Sequence, residues 1–332
     1  MSNLERKLRE IAERVDKIIL ENLVGDLKVS KLYESSRYLF LGGGKRLRPS
    51  IVVLTSELVN GDVNRSYILG AAVEVLHTFT LIHDDIMDND PIRRGMPSVH
   101  VKYGVPMAIL AGDLLHVKAF EILHKGLKGL DQDKVNKGLE KFIEAIITIS
   151  EGQALDMEFE EKKEVSEEEY FEMIKKKTAW LFACSSYLGA LTGKVSDEDL
   201  YNSFNFGLNL GISFQIVDDI LGINASEKEL GKPVYSDIRE GKKTLLVIKT
   251  LKDCSQQERE RIGKVLGNRN ASKEELEEVA NILRKYSLSY AYEKAEFYMN
   301  ESIRYLKKVN WINEESGKNL IELAKFTVMR RR

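Results

Sequence analysis

Residues 66–95 read SYILGAAVEVLHTFTLIHDDIMDNDPIRRG. An apolar run over about 66–88 ends in four carboxylates, Asp84, Asp85, Asp88 and Asp90, and two arginines follow, Arg93 and Arg94. The run meets no proline before Pro91 and stops at Asn89-Asp90-Pro91, which predicts one long helix. On a helix turning about 100° per residue, Asp84 and Asp88 project within about 40° of each other, while Asp85 points about 100° away. Like charges at this spacing destabilise a bare helix, and acids at a helix C-terminus oppose its macrodipole. A solvated acidic helix end is one reading; a bound dication, which removes the repulsion, is the other. A few oxygen ligands suit Mg²⁺, which keeps waters and shares its shell with phosphates. The ligand order and glycine of a calcium-binding EF-hand loop are missing.

The helical period continues on both sides. Leu4, Leu8, Ile11, Val15 and Ile18 mark a first helix ending near Gly25. A second, about 28–41, stops at Gly42-Gly43-Gly44, and Pro49 sits where a third begins. Further helices are predicted near 106–126, 134–160, 198–222, 243–252 and 288–308. Ser166 with Glu169, and Ser272 with Glu275, have capping-box spacing and start helices near 167 and 273. No convincing strand alternation and no Pro/Ser-rich linker interrupts the pattern. With 332 residues, 43% hydrophobic and five prolines, the chain is expected to be all-α, residues 1–332 forming a single domain.

Composition narrows the partners. A formal net charge of −2, with acids and bases interspersed, gives no reason to expect a nucleic-acid partner. Cys184 and Cys254 lie far apart, the first in the apolar run AWLFACSSYLG, which points to reduced thiols. The first twenty residues mix acids and bases at helical spacing, unlike a signal peptide, and no stretch reaches the roughly 18 uninterrupted apolar residues of a membrane span. The expected location is cytoplasmic, without stable membrane insertion.

A second acidic pair, Asp218-Asp219 in FQIVDDILG (214–222), echoes the first, with Gly222 where another carboxylate one turn on would complete it. Each pair ends a long apolar helix and leads into a basic loop, PIRRG or GKPVYSDIREGKK, which suggests two walls of one cavity. The bases recur elsewhere: Lys45 and Arg48 follow the glycine run of GGGKRLRP, and Lys177-Thr178 lies on a helix between the acidic pairs. Arg46 directly after Lys45 excludes a P-loop, which needs Ser or Thr there. Singly, each of these cations reads as a solvated surface charge. Together with carboxylates that need Mg²⁺, they fit a diphosphate shared between metal and cationic side chains, with an apolar helix wall for a hydrocarbon tail. His77 returns to within about 20° of the Asp84 face. It is read either as a phosphate donor or as a satisfied core histidine. No spacing resembles a zinc site or a Ser-His-Asp triad.

The motifs GGGKRLRP, DDIMD with RRGMP, GQALD (152–156), KKT (176–178), FQIVDDILG and GKPVYSDIREGKKT, in this order from about residue 40 to 245, resemble those of the trans-isoprenyl diphosphate synthases. The resemblance implies a large bundle of mostly antiparallel helices around a deep central cavity, usually as a homodimer. It implies Mg²⁺, three ions per site with substrate bound, on Asp84 and Asp88 with Asp85 in support and on Asp218 with Asp219. Arg93, Lys177, Lys232 and Lys242 would hold the allylic diphosphate, with Thr178 and Gln215 at its reacting end. Lys45, Arg48, His77 and Arg94 would hold isopentenyl diphosphate. Many members carry a third Asp where this chain has Gly222.

The resemblance also bears on product length, which bulky residues five and four positions before the first Asp set by flooring the cavity. Here these are Phe79 and Thr80. One aromatic followed by a small residue is similar to archaeal-type synthases that extend dimethylallyl, geranyl or farnesyl diphosphate to the twenty-carbon geranylgeranyl product. On an ideal helix Phe79 lies about 140° from Asp84, so helical geometry alone does not put it in the cavity. Phe120, on one face with Asp113 and His116, is a second candidate for the floor, with core packing as its other reading. The alternatives are a shorter farnesyl or a longer (twenty-five- to thirty-carbon) product, a class I terpene cyclase, and a non-catalytic partner subunit. A cyclase normally replaces the second Asp-Asp by an Asn/Ser/Glu motif, and a partner subunit typically loses acids or bases from these motifs.

Overall fold

The computed structural model describes residues 3–224 and 234–328. In chain order the helices are α1 (Asn3–Asn22), α2 (Ser30–Leu41), α3 (Leu47–Leu58), α4 (Val63–Met87), α5 (Val99–Tyr103), α6 (Val105–Leu127), α7 (Gln132–Glu161), α8 (Glu167–Ile174) and α9 (Trp180–Leu191). They continue with α10 (Asp197–Asn224), α11 (Ser236–Glu240), α12 (Leu245–Asp253), α13 (Gln256–Val265), α14 (Lys273–Leu306) and α15 (Glu314–Val328). Among the described residues the only strands are β1 (Ile92–Arg93) and β2 (Met96–Pro97), an antiparallel pair. The protein is all-α, as the apolar period predicts.

Local signals account for the helix ends. Asp62 accepts from the Arg65 amide and starts α4, and the Ser166/Glu169 capping box starts α8. The Ser272/Glu275 pair likewise opens α14, but α14 runs unbroken to Leu306, where the sequence predicts separate helices. Nothing between 273 and 306 breaks a helix, so the chain continues. Several helices have no counterpart in the predicted set, among them the short α5 and α11, α13, opened by a Ser255/Glu258 capping box, and α15. The apolar stripe Ile11, Val15 and Ile19 of α1 is fully buried, each side chain contributing about 1.5–3 kcal/mol.

By contacts the chain divides into two compact units. The first takes in Met1–Glu144, Leu181–Gly207 and Arg304–Leu323; the second takes in Ala145–Trp180, Leu208–Ile303 and Ala324–Arg332. In the first, α4 is the core: nearly every residue from Ser66 to Thr78 is buried. In the second, Lys175–Ala179 forms a π-helical turn after α8, an irregularity that often accompanies functional positions. It lies against α7 at Gly152, where a Cβ would stand 2.2 Å from the Lys177 nitrogen. Only glycine lets the two backbones approach this closely. One described helix, α10, is long and apolar enough to cross a membrane, but 67% of its most apolar window is buried, as in a core helix.

Candidate functional site

The expected site residues that are described fall in both units. In the first unit α4 ends at Met87 with Asp88 as its C-cap, and the chain turns through Asn89 into the β1–β2 hairpin. Arg94 and Gly95 at its tip both have positive φ, 54° and 74°, the type I′ geometry that matches strand twist. The turn brings Arg93 back onto the helix end. Its Nε donates to Asp85 Oδ1 at 2.7 Å and its Nη2 to the same oxygen, while Nη2 also reaches Asp90 Oδ2 at 3.3 Å and Asp84 Oδ2 at 4.0 Å. The positive charge beside the acids is thus, in part, their counter-ion.

The acids differ in exposure. Asp85 keeps 1% of its side-chain surface and Asp84 keeps 20%. Burial pushes the Asp85 carboxyl up to about 6 although Arg93 acts the other way, and its Oδ2 is buried without a hydrogen-bond partner. Half-exposed Asp84 and Asp88, one turn apart, are the pair presented outward. Among the described residues no three Asp, Glu, His or Cys side chains gather into a cage for a metal. An open, all-oxygen edge of this kind fits Mg²⁺, which needs only one or two carboxylates when substrate phosphate and water complete its shell.

The glycine run leads to a second cluster in the same unit. Lys45 is exposed, whereas Arg46, at φ 46°, is buried. Arg46 donates to Asp16 (2.7 Å), Glu74 (2.9 Å) and the Gly43 and Phe40 carbonyls. Arg94 donates to the carbonyls of Leu39 (2.9 Å) and Gly43 (2.7 Å) and leans on Glu74 at 3.5 Å. Arg48 Nη1 lies 3.0 Å from His77 Nε2, and its guanidinium stacks 4.4 Å over the Phe182 ring. A guanidinium only donates, so Nε2 accepts and the His77 proton is assigned to Nδ1. Burial and the Arg48 charge hold His77 down at about 4, so it is neutral at pH 7. Burial opposes the charge of Glu74, yet neighbouring His77 and the guanidiniums of Arg46 and Arg94 hold its carboxyl at about 2. At 3.7 Å the His77 Nδ1–Glu74 Oε2 separation exceeds a hydrogen bond, so the neutral ring adds little and the two arginines carry the effect. Neither Arg46 nor Glu74 was picked out as a site residue from the sequence. A lone acid inside an otherwise apolar helix was the available signal for Glu74.

The chain-length candidates also meet in the first unit. The Phe79 ring stacks on His116 (4.9 Å between centroids, 12° between planes) and meets His83 edge-on at 4.9 Å. His116 in turn touches Phe120 at 5.7 Å, and Phe120 touches buried Phe142 at 5.4 Å. Phe79 and Phe120, unrelated on any one helical wheel, therefore belong to one aromatic row across α4, α6 and α7. Thr80 bonds back to the His77 carbonyl at 2.8 Å.

In the second unit Asp156 of GQALD organises the cations. Its Oδ2 accepts from Lys177 Nζ at 2.7 Å and Lys242 Nζ at 2.9 Å, and Lys242 also donates to Glu160 at 2.6 Å. Burial would raise the Asp156 carboxyl, but the two ammonium groups outweigh it and lower it. Thr178 Oγ1 donates to Gln215 Oε1 (2.7 Å), Gln215 Nε2 to Asp219 Oδ1 (2.8 Å), and Tyr170 OH to Asp219 Oδ2 (2.7 Å). Both oxygens of buried Asp219 are engaged inward, and burial together with Asp237 pushes it up to about 8. Half-exposed Asp218 is the member turned outward. A Cβ on Gly222 would stand 2.8 Å from Asp237 Oδ2, so the Asp237 carboxylate fills the space a side chain there would need. Lys232 lies outside the described residues.

Comparison with known proteins places the chain in a family. The family model described as Polyprenyl synthetase matches residues 29–283. A geranylgeranyl diphosphate synthase of Sulfolobus acidocaldarius is 55% identical over 332 residues, the full length of both chains. The crystal structure of a geranylgeranyl pyrophosphate synthetase from Pyrococcus horikoshii superposes with a TM-score of 0.90 at 40% identity, covering 99% of this chain and 100% of that one. That of a polyprenyl synthase from Caulobacter crescentus, complexed with calcium and isoprenyl diphosphate, gives 0.90 at 30% identity and covers 99% and 97%. The fold is that of an all-α isoprenoid synthase, a class that uses divalent metal to bind diphosphate. Within it, the chain belongs to the polyprenyl synthetase family, whose members elongate prenyl chains in the trans configuration.

Proposed function

We propose that this chain condenses isopentenyl diphosphate head-to-tail with dimethylallyl, geranyl or farnesyl diphosphate and releases all-trans geranylgeranyl diphosphate and diphosphate. The observation that supports it best is the hairpin of the first unit. It sends one arginine to each of two clusters: Arg93 to the acids of α4, and Arg94 to the glycine turn with Arg48 and His77. A prenyl transfer needs two diphosphates held separately, whereas a cyclase needs one.

In this reading Asp84 and Asp88, backed by Asp85, and Asp218, backed by Asp219, hold magnesium, three ions with substrate bound, which supplies the positive charge that makes diphosphate a better leaving group. Arg93, Lys177, Lys232 and Lys242 bind the allylic diphosphate and share the negative charge that grows on it as the carbon–oxygen bond breaks. Lys45, Arg48, His77 and Arg94 bind isopentenyl diphosphate, with neutral His77 holding the Arg48 guanidinium through Nε2. Thr178 and Gln215 offer oxygen dipoles that soften the allylic cation without trapping it, and Asp219 and Tyr170 hold Gln215 in orientation. The double bond of isopentenyl diphosphate attacks the cation, and the released proton passes to the departing diphosphate. Exclusion of water protects the cation from quenching. Phe79, Thr80 and Phe120 set the depth available to the growing tail. We assign the whole chain to one isoprenoid synthase domain that works in the cytoplasm as a homodimer.

The test is an incubation of purified protein with farnesyl diphosphate, labelled isopentenyl diphosphate and Mg²⁺. Label in a twenty-carbon diphosphate is expected. Label in no longer chain rejects the reading, and an unlabelled cyclic hydrocarbon supports a cyclase.

A further inference from the structure

We propose that Glu74 is the positioning residue of the isopentenyl diphosphate cluster, a buried carboxylate that ties Arg94 to the Gly42–Gly44 turn and faces the Nδ1 edge of His77. The proposal rests on the assignment of Lys45, Arg48, His77 and Arg94 to that substrate.

Glu74 is 2% exposed, within a stretch of α4 that is otherwise apolar. A carboxylate persists in such surroundings only when it is paired. Oε1 receives Arg46 at 2.9 Å and Arg94 at 3.5 Å, and Oε2 lies 3.7 Å from His77 Nδ1. Arg46 and Arg94 have different duties. The Arg46 side chain is wholly buried and spends its donors on Asp16, Glu74 and the Phe40 and Gly43 carbonyls, so it braces the turn. Arg94 arrives from the hairpin and retains 18% of its side-chain surface, enough to reach a ligand.

The two guanidiniums share the Gly43 carbonyl and stand on either side of Gly44. A Cβ at residue 44 would come 2.6 Å from Arg46 Nη1 and 3.2 Å from Arg94 Cζ. Two positive groups this close repel unless a negative one lies between them. Asp16 neutralises Arg46 from the far side, and Glu74 is the acid both arginines meet. Without its charge Arg94 has only backbone carbonyls to hold it beside another guanidinium, and it will swing away from the turn. The same carboxylate favours the proton on His77 Nδ1, leaving Nε2 to receive Arg48. One buried acid thereby sets the position of Arg94, a side chain it never joins at the substrate.

The test is steady-state kinetics of the Mg²⁺-loaded enzyme for Glu74→Gln, Arg94→Ala and the double variant, varying each substrate while the other saturates. Expected is a rise in KM for isopentenyl diphosphate of roughly tenfold in Glu74→Gln, with KM for farnesyl diphosphate within about twofold. The double variant should be no worse than Arg94→Ala alone, since the two changes remove one function. A purely structural role for Glu74 would raise both KM values together or give additive effects, and either result overturns the proposal. If Arg94→Ala raises the isopentenyl KM and Glu74→Gln does not, the proposal fails while the substrate assignment stands. If neither raises it, the assignment itself fails, and the proposal with it. Should Glu74→Gln not fold, Glu74→Asp, which withdraws the carboxylate by one methylene, takes its place in the cycle under the same criteria.

Discussion

Lys177 and Lys242 direct their ammonium groups at one oxygen, Asp156 Oδ2, from 2.7 and 2.9 Å. Two like charges hold that spacing only because a carboxylate lies between them. Asp156→Asn keeps the shape and removes the charge, so the lysines should spread apart. The expected result is a KM for the allylic diphosphate raised by about tenfold, with the isopentenyl KM little changed. Equal changes in both would show that the pair does not serve one substrate.

Glu74 predicts an acid limb of stability. Burial opposes its charge, but the guanidiniums of Arg46 and Arg94 bring the folded value to about 2 from an ordinary 4.5, so ionised Glu74 favours the folded state. The contribution is fully present above pH 4.5 and fades as pH falls toward 2, and it is on the order of 3 kcal/mol. Denaturant unfolding of Glu74→Gln against the parent chain should show a gap at pH 7 that narrows by pH 3. A gap independent of pH would mean that the carboxylate charge is not what matters.

The aromatic row makes Phe79 and Phe120 neighbours in effect through His116. Phe79→Ser should lengthen the product by at least one five-carbon unit, and Phe120→Ala on top of it should lengthen it again. Product chromatography decides; unchanged length in both variants would put the floor elsewhere.

Gly222 leaves room for the Asp237 carboxylate. Gly222→Asp, although it restores a residue common in the family, should lower activity and the melting temperature, because two carboxylates would compete for one space. Crowding alone, as in Gly222→Ala, should cost little, because the Asp237 carboxylate is the mobile end of a half-exposed side chain and alanine is the better helix former. Relief by Asp237→Asn in the Gly222→Asp background is the informative measurement; its absence would separate the two positions.

Asp84 is half-exposed and outside the core, so Asp84→Ala should reduce kcat by about 10²–10³-fold while shifting Tm by no more than about 2 °C. Parallel loss of activity and Tm would argue against a metal-binding role.

The sequence carried the helical class clearly, because buried residues on α1 recur at helical spacing and α4 is a long apolar run without a breaker. It also carried the outward acids, which are anomalous at a helix end. What escaped it depends on partners distant along the chain. In the sequence Arg46 only excludes a P-loop, although it is the brace of the turn. Asp156 had no assigned role because its meaning depends on Lys177 and Lys242, 21 and 86 positions away. Phe79 looked misdirected on a single wheel because its stacking partner, His116, belongs to α6. The hairpin was hidden by its brevity: two residues per strand give no alternation to read, and Arg94, unlike glycine, does not announce a positive φ.

The type I′ turn has a mechanical corollary. Consecutive residues Arg93 and Arg94 serve separate anion clusters, so neither can be relocated by sliding the backbone without dragging the other. Inserting or deleting one residue there would mis-seat both guanidiniums at once, whereas swapping either side chain leaves its neighbour in register. The loop is thus a double hook, and either contact can be adjusted alone only by side-chain replacement.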